Sequence, residues 1–160
     1  MVRARQLDRV TLGPGGDTRC TTCHADANGQ PEQIRLTHLP DYDGDGNNRE
    51  PLKAEIDGMA AKLLAAMQAA AAPTGLCYAD LYPYFFKDSD GDKKPACSAA
   101  EAVTTNQPSA WTPALVKATY NYQLSRKESG AWAHNFAYVG QLLYDSTEDL
   151  GGAVSGMVRP

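Results

Sequence analysis

Cys20, Cys23 and His24 stand in the run Cys20-Thr21-Thr22-Cys23-His24, a C-x-x-C-H arrangement. Two thiols at that spacing can add to the two vinyl groups of one porphyrin, and a His directly after the second is placed to bind the iron from beneath the ring. Other uses of the spacing ask for more than the chain offers. A zinc site needs four Cys or His ligands. Beyond this run only Cys77, Cys97, His38 and His134 remain, with no second close-spaced pair. A thioredoxin-like redox pair needs a strand before it and a helix starting at it. The preceding Leu12-Gly13-Pro14-Gly15-Gly16-Asp17 reads as turn. The added His therefore points to a covalently held haem c.

A haem bound through His24 has a second axial position. His134, with Tyr138 one turn on and Leu142 two turns on, suits a porphyrin face. The alternatives are His38 beside Asp41, a Met (Met59, Met67 or Met157), or an open position. Two imidazoles give low-spin iron at a lower potential than His/Met ligation and favour electron transfer over catalysis. An open position would allow peroxide or nitrogen-oxide chemistry.

Two acidic segments carry a second chemistry. Asp41, Asp43, Asp45 and Asn47 alternate along Asp41-Tyr42-Asp43-Gly44-Asp45-Gly46-Asn47, and Asp88, Asp90 and Asp92 along Asp88-Ser89-Asp90-Gly91-Asp92. Alternating carboxylates with a Gly-permitted bend converge oxygens on a hard cation, as in the first half of an EF-hand calcium loop. The twelfth position of the first is Leu52 rather than Glu, so Glu50 or Glu55 would have to close the site. The second has Lys93 at its sixth position, and Glu101 as its nearest closing acid. The same segments would also serve as solvated turns held by Asx bonds.

The elements that must position these groups are mostly helical, with long loops. Residues 1–19 read as an irregular arm, 20–152 as one monohaem domain with two acidic turns, and 153–160 as a flexible tail. A helix is expected over 50–72, with Ile56, Met59, Leu63, Leu64 and Met67 on one face. Residues 76–110 read as a loop region rich in Tyr and Phe. Thr112-Pro113 supplies an N-cap and a Pro at N1 for a helix to about 126. A last helix over 131–146 carries Trp132, Phe136, Val139 and Leu143. No convincing strand set is visible.

The formal net charge is −4, and the basic residues are scattered, which argues against nucleic acid. No apolar run reaches membrane-spanning length. The basic start, 1–5, is followed by Gln6, Asp8 and Arg9 rather than an apolar stretch, so the expectation is a mature form or a piece of a longer exported protein. With Cys20 and Cys23 on haem, Cys77 and Cys97 are left as an even pair, either a disulfide in an oxidising compartment or two buried thiols.

The C-x-x-C-H run, Ile34-Arg35, Asp41-Tyr42-Asp43-Gly44-Asp45-Gly46 and Tyr82-Pro83-Tyr84-Phe85-Phe86 together resemble the C-terminal region of large multihaem c-type cytochromes exported by bacteria. So do Lys117-Ala118-Thr119-Tyr120-Asn121-Tyr122-Gln123, Ala133-His134-Asn135 and Gln141-Leu142-Leu143-Tyr144-Asp145-Ser146. The resemblance implies a haem module in an electron-transfer chain, outside the cytoplasm, facing redox proteins or neighbouring haem modules. A His-Asn pair opening a helix often supplies a distal ligand in such proteins, which carries over to His134. Those proteins hold many C-x-x-C-H motifs, whereas this chain holds one. The expected class is thus a mostly α c-type cytochrome domain built around one covalent haem, with EF-hand-like calcium turns. A haem enzyme with an open distal side and a haem-free, calcium-stabilised interaction module are the competing readings.

Overall fold

The computed structural model describes Cys23, residues 25–27, 30–35 and 39–160. Cys20, His24 and His38 lie outside the described residues. Three helices form the frame: α1 (Leu52–Ala70), α2 (Pro113–Lys127) and α4 (Phe136–Asp149), with the single turn α3 (Ala131–His134) before α4. All three long helices pack on one another. Their shared core is Ile56, Met59, Leu63, Leu64 and Met67 from α1, Leu115, Ala118 and Tyr122 from α2, and Val139 and Leu143 from α4. Each Ile, Leu, Met or Val side chain so removed from water contributes about 1.5–3 kcal/mol.

Local chemistry sets the helix ends. Thr112 Oγ1 accepts from the backbone N–H of Leu115 at 3.2 Å, and Pro113 opens α2 with its φ already helical. Pro51 occupies the N-cap of α1, which ends two residues short of the expected 72. The expected last helix is broken in two. Asn135, at φ −154° and ψ 45°, separates α3 from α4. The apolar stripe continues across the break, so periodicity alone could not reveal it.

A hairpin corrects the loop reading of 76–110. Strand β1 (Cys77–Tyr78) pairs antiparallel with β2 (Phe85–Phe86), Cys77 opposite Phe86. A disulfide joins Cys77 to Cys97, with Cα atoms 4.9 Å apart. Gln68 of α1 donates to the carbonyls of Leu76 and Lys94, both at 2.9 Å, and fastens this unit to the bundle.

The last eight residues do not behave as the expected loose tail. Met157 is buried in the core, Val158 N donates to Tyr42 O at 3.1 Å, and Arg159 grips Asp145 through two hydrogen bonds. Apolar burial at Met157 and these contacts hold the segment over the first acidic turn. Among the described residues, no helix is long and apolar enough to cross a membrane.

Candidate haem and cation sites

The first acidic turn is built on α1 and knitted by its own carboxylates. Asp41 accepts from Gly44 N at 2.6 Å and Gly46 N at 2.7 Å. Asp43 accepts from Asp45 N at 3.0 Å, and Asp45 from Asn47 N at 2.7 Å. Asn47 turns its own side-chain oxygen to Arg49 N. Both candidate closing acids arrive: one oxygen each from Asp41, Asp43 and Glu55 lie within 4.8 Å of one another, and so do those of Asp43, Asp45 and Glu50.

The second turn repeats this skeleton. Asp88 accepts from Gly91 N and Lys93 N, Asp90 from Asp92 N, and Asp92 from Lys94 N. Fourth and sixth positions take positive φ in both turns: Gly44 and Gly46 at 74° and 95°, Gly91 and Lys93 at 72° and 57°. A Lys at φ 57° is uncommon, and the hydrogen bonds on either side of it hold it there. Glu101 does not converge with Asp88, Asp90 and Asp92. It receives Ser89 N at 2.8 Å and Ser98 N at 2.9 Å, and so braces the turn from outside. Lys94 Nζ sits 2.5 Å from Asp92, so a cation of the protein already neutralises part of this cluster.

Electrostatics separate the two turns. In the first, burial, followed by the charges of Asp45, Asp43, Glu55 and Asp41, pushes the Glu50 carboxyl up to about 7. Its Oε1 is buried and has no hydrogen-bond partner. Burial likewise raises Asp43, with Asp45, Glu55 and Asp41 adding to it against a hydrogen bond from Asp45. At Asp41 burial pulls upward, but the N–H groups of Gly46 and Gly44 outweigh it and the carboxyl titrates below its usual range.

A pH dependence follows from Glu50. The unfolded chain releases this proton near 4.5 and the folded chain only near 7. The folded state therefore holds more protons in that window, and stability falls as pH rises across it. In metal-free buffer the urea midpoint should be higher at about pH 5 than at about pH 8.

Two glycines make the turn possible. A Cβ on Gly44 would lie 2.5 Å from the backbone of Gly156, where nothing can yield. A Cβ on Gly58, within α1, would fall inside the Asp43 carboxylate. Gly58→Ala gains about 1 kcal/mol of helix propensity in isolation. In this protein it should lower the thermal midpoint, because Asp43 must leave its place; calorimetry reads the change.

The haem side is described in part. Cys23 is exposed and outside any disulfide, while Cys77 and Cys97 are joined to each other, so Cys23 is available for thioether formation. His134 ends α3 and is exposed, as are Ala133, Ala137 and Tyr138, but the break at Asn135 removes the continuous helical spacing expected between His134 and Tyr138. Gly130 gives its ring room, since a Cβ there would come within 2.9 Å of Nδ1. Cys23 thus presents an accessible thiol and His134 an accessible imidazole, the donor types that a haem c takes. The methionine alternatives are core residues: Met59 and Met67 are fully buried in α1 and Met157 packs against the same core.

Sequence reasoning did not single out Arg35 as a site residue. Its guanidinium reaches the fully buried Glu55, Nη1 to Oε1 at 2.7 Å, and its own side chain is 6% exposed. Nη2 donates to the carbonyls of Leu39 and Pro40 at 3.1 and 2.8 Å. The second oxygen of Glu55 accepts from Tyr42 N at 2.8 Å and Asp43 N at 3.0 Å. The only local signal was an Arg just ahead of the acidic run.

Over 82% of its length the chain is homologous to c-type polyheme cytochromes. The relatives are the C-type polyheme cytochrome OmcB of Geobacter sulfurreducens, 31% identical over 137 residues, and OmcC of the same organism, 29% identical. The chain spans 16% of the length of these relatives. No family model matches the chain. No solved structure matches it either.

Proposed function

We propose that this chain is an electron-transfer module of an exported c-type cytochrome, carrying one covalently held haem. The observation that carries the reading is the C-x-x-C-H run at Cys20, Cys23 and His24 in a chain homologous to c-type polyheme cytochromes. When bound, the haem supplies a one-electron couple. Cys20 and Cys23 would hold the group by thioether bonds, and His24 would bind its iron from the same short segment. His134, presented on the bundle surface, would supply a second imidazole. Two protein imidazoles leave no position for substrate, which favours an electron carrier over an enzyme. The partners are redox proteins or neighbouring haem modules.

Intact-mass analysis of protein matured in a host competent in haem attachment tests this. The expected mass is polypeptide plus one haem, retained after denaturation, with a low-spin c-type reduced spectrum. Cys23→Ser should leave at most one thioether. Polypeptide mass alone would remove the electron-carrier reading and favour the calcium-stabilised interaction module.

In this proposal calcium occupies the first acidic turn through Asp41, Asp43, Asp45 and Asn47, with Glu50 and Glu55 completing the oxygen set. Asp88, Asp90, Asp92 and the bracing Glu101 form a weaker second turn, partly satisfied by Lys94. Saturating calcium at a hundred times its dissociation constant would add about 2.7 kcal/mol. A chelator should therefore lower the thermal midpoint by several degrees. Neutralising the first turn (Asp43→Asn) should abolish most of that difference, and neutralising the second (Asp90→Asn) little of it.

A further inference from the structure

We propose that Tyr78 is a redox-active tyrosine: it gives one electron to a strong oxidant of the oxygen-radical class, passes its phenolic proton to Asp80, and is reached from the surface through Tyr82 and Tyr84. The proposal involves described residues alone and holds with or without an attached haem. Tyr82, Tyr84, Tyr78 and Tyr122 lie in one connected set. Ring centroids are 6.3 Å apart for Tyr82 and Tyr84, 6.5 Å for Tyr84 and Tyr78, and 5.2 Å for Tyr78 and Tyr122. Each step falls in the range of paired aromatic rings. Tyr82 is 77% exposed and Tyr122 6%, so the set runs from solvent into the core. Tyr84 sits at φ 76°, an unfavourable conformation for a bulky residue, yet the fold keeps it there with its ring stacked on Tyr78.

A phenol that loses an electron becomes a far stronger acid, so its oxidation is eased where a base waits for the proton. Tyr78 Oη donates to Asp80 Oδ1 at 3.3 Å. Lys127, bonded to the same carboxyl, is the main cause that holds Asp80 below its usual range, so the base is ionised near neutral pH. Burial first, and then the Asp80 charge, push the Tyr78 phenol up, so it starts as the neutral phenol with a proton to give. The Lys127 ammonium lies 4.9 Å from the centre of the Tyr84 ring and opposes positive charge there. The electron hole therefore comes to rest on Tyr78. An oxidant that takes an electron from Tyr82 leaves a phenoxyl there, its proton lost to water. Tyr82 then regains an electron from Tyr78 by way of Tyr84, and a proton from water, while the Tyr78 proton moves to Asp80. The net change is one O–H bond broken at Tyr78, one formed on Asp80, and the oxidant reduced by one electron.

Azide radicals made by pulse radiolysis oxidise phenols and indoles by one electron, and paramagnetic resonance of frozen samples tells tyrosyl from tryptophanyl. The full chain, in its oxidised form, should hold a persistent tyrosyl signal. Tyr78→Phe keeps the ring and removes only the hydroxyl; it should lose most of that signal with its far-UV circular dichroism unchanged. Asp80→Asn should form the signal about tenfold more slowly, less than a positioned base usually contributes because Asp80 is largely open to water. Lys127→Met, which breaks the same surface pair but spares the carboxylate, should leave the signal in place, as should Tyr120→Phe, an exposed tyrosine outside the connected set. An undiminished signal in folded Tyr78→Phe overturns the proposal, and so does a signal that disappears with Tyr120. If Tyr78→Phe does not accumulate, Asp80→Asn decides, since its side chain is 74% exposed and its loss spares the core. An unchanged rate there overturns the proposal equally.

Discussion

Glu55→Ala should remove about 3–5 kcal/mol of folding stability, the usual cost of leaving one member of a buried pair without its counter-charge. Glu55 is fully buried, its carboxylate serves Arg35 and two backbone N–H groups, and Arg35 is itself almost entirely buried. The loss amounts to a fifth or more of the roughly 5–15 kcal/mol that holds a folded domain together. A urea titration followed by tryptophan fluorescence reads it as a lowered midpoint. The control is the double variant Arg35→Met with Glu55→Met, which removes both charges and should recover much of the loss. If Glu55→Ala unfolds at the wild-type midpoint, the pair lies in a far wetter environment than its burial indicates.

His134→Ala carries the second large effect, on the iron rather than on the fold. The side chain is exposed, so in the haem-free polypeptide the unfolding midpoint should stay within about 0.5 kcal/mol of wild type. The ferric spectrum should change from low-spin to high-spin, and imidazole added to the buffer should restore the low-spin bands. An unchanged spectrum would move the ligand to His38, since Met59, Met67 and Met157 are committed to the core. A change in the midpoint potential should accompany the change of ligand.

Much of the helical frame was legible because its ends are written in local chemistry. Thr112 and Pro113 announce α2, and the Ile56–Met59–Leu63–Met67 stripe announces α1. The hairpin was not legible. Its strands are two residues long and are held by the pairing of Cys77 with Phe86 and Tyr78 with Phe85 and by the Cys77–Cys97 bond, neither of which leaves a periodic trace. The break at Asn135 escaped notice because both halves present the same stripe.

The acidic turns were visible as a pattern, and their shared hydrogen-bond skeleton follows from alternate carboxylates each accepting from a backbone N–H just ahead. Alternation alone could not choose between Glu50 and Glu55. The structure brings both, in different roles: Glu55 buried and bonded on all sides, Glu50 with an oxygen that meets no donor. Arg35 was invisible as an anchor because its partner lies twenty residues away on another element.

The four cysteines impose opposite redox demands on one molecule. Cys77 and Cys97 have lost two electrons to become a cross-link, whereas vinyl addition needs Cys20 and Cys23 as thiols. With haem attached as proposed, maturation would have to oxidise one pair while sparing the other in the same surroundings. Geometry favours that sorting, since β1 and the Tyr78–Ala96 bridge hold Cys77 against Cys97. An environment reducing enough to protect the first pair indefinitely would leave the second acidic turn without its staple, and one oxidising enough to cross-link everything would block attachment.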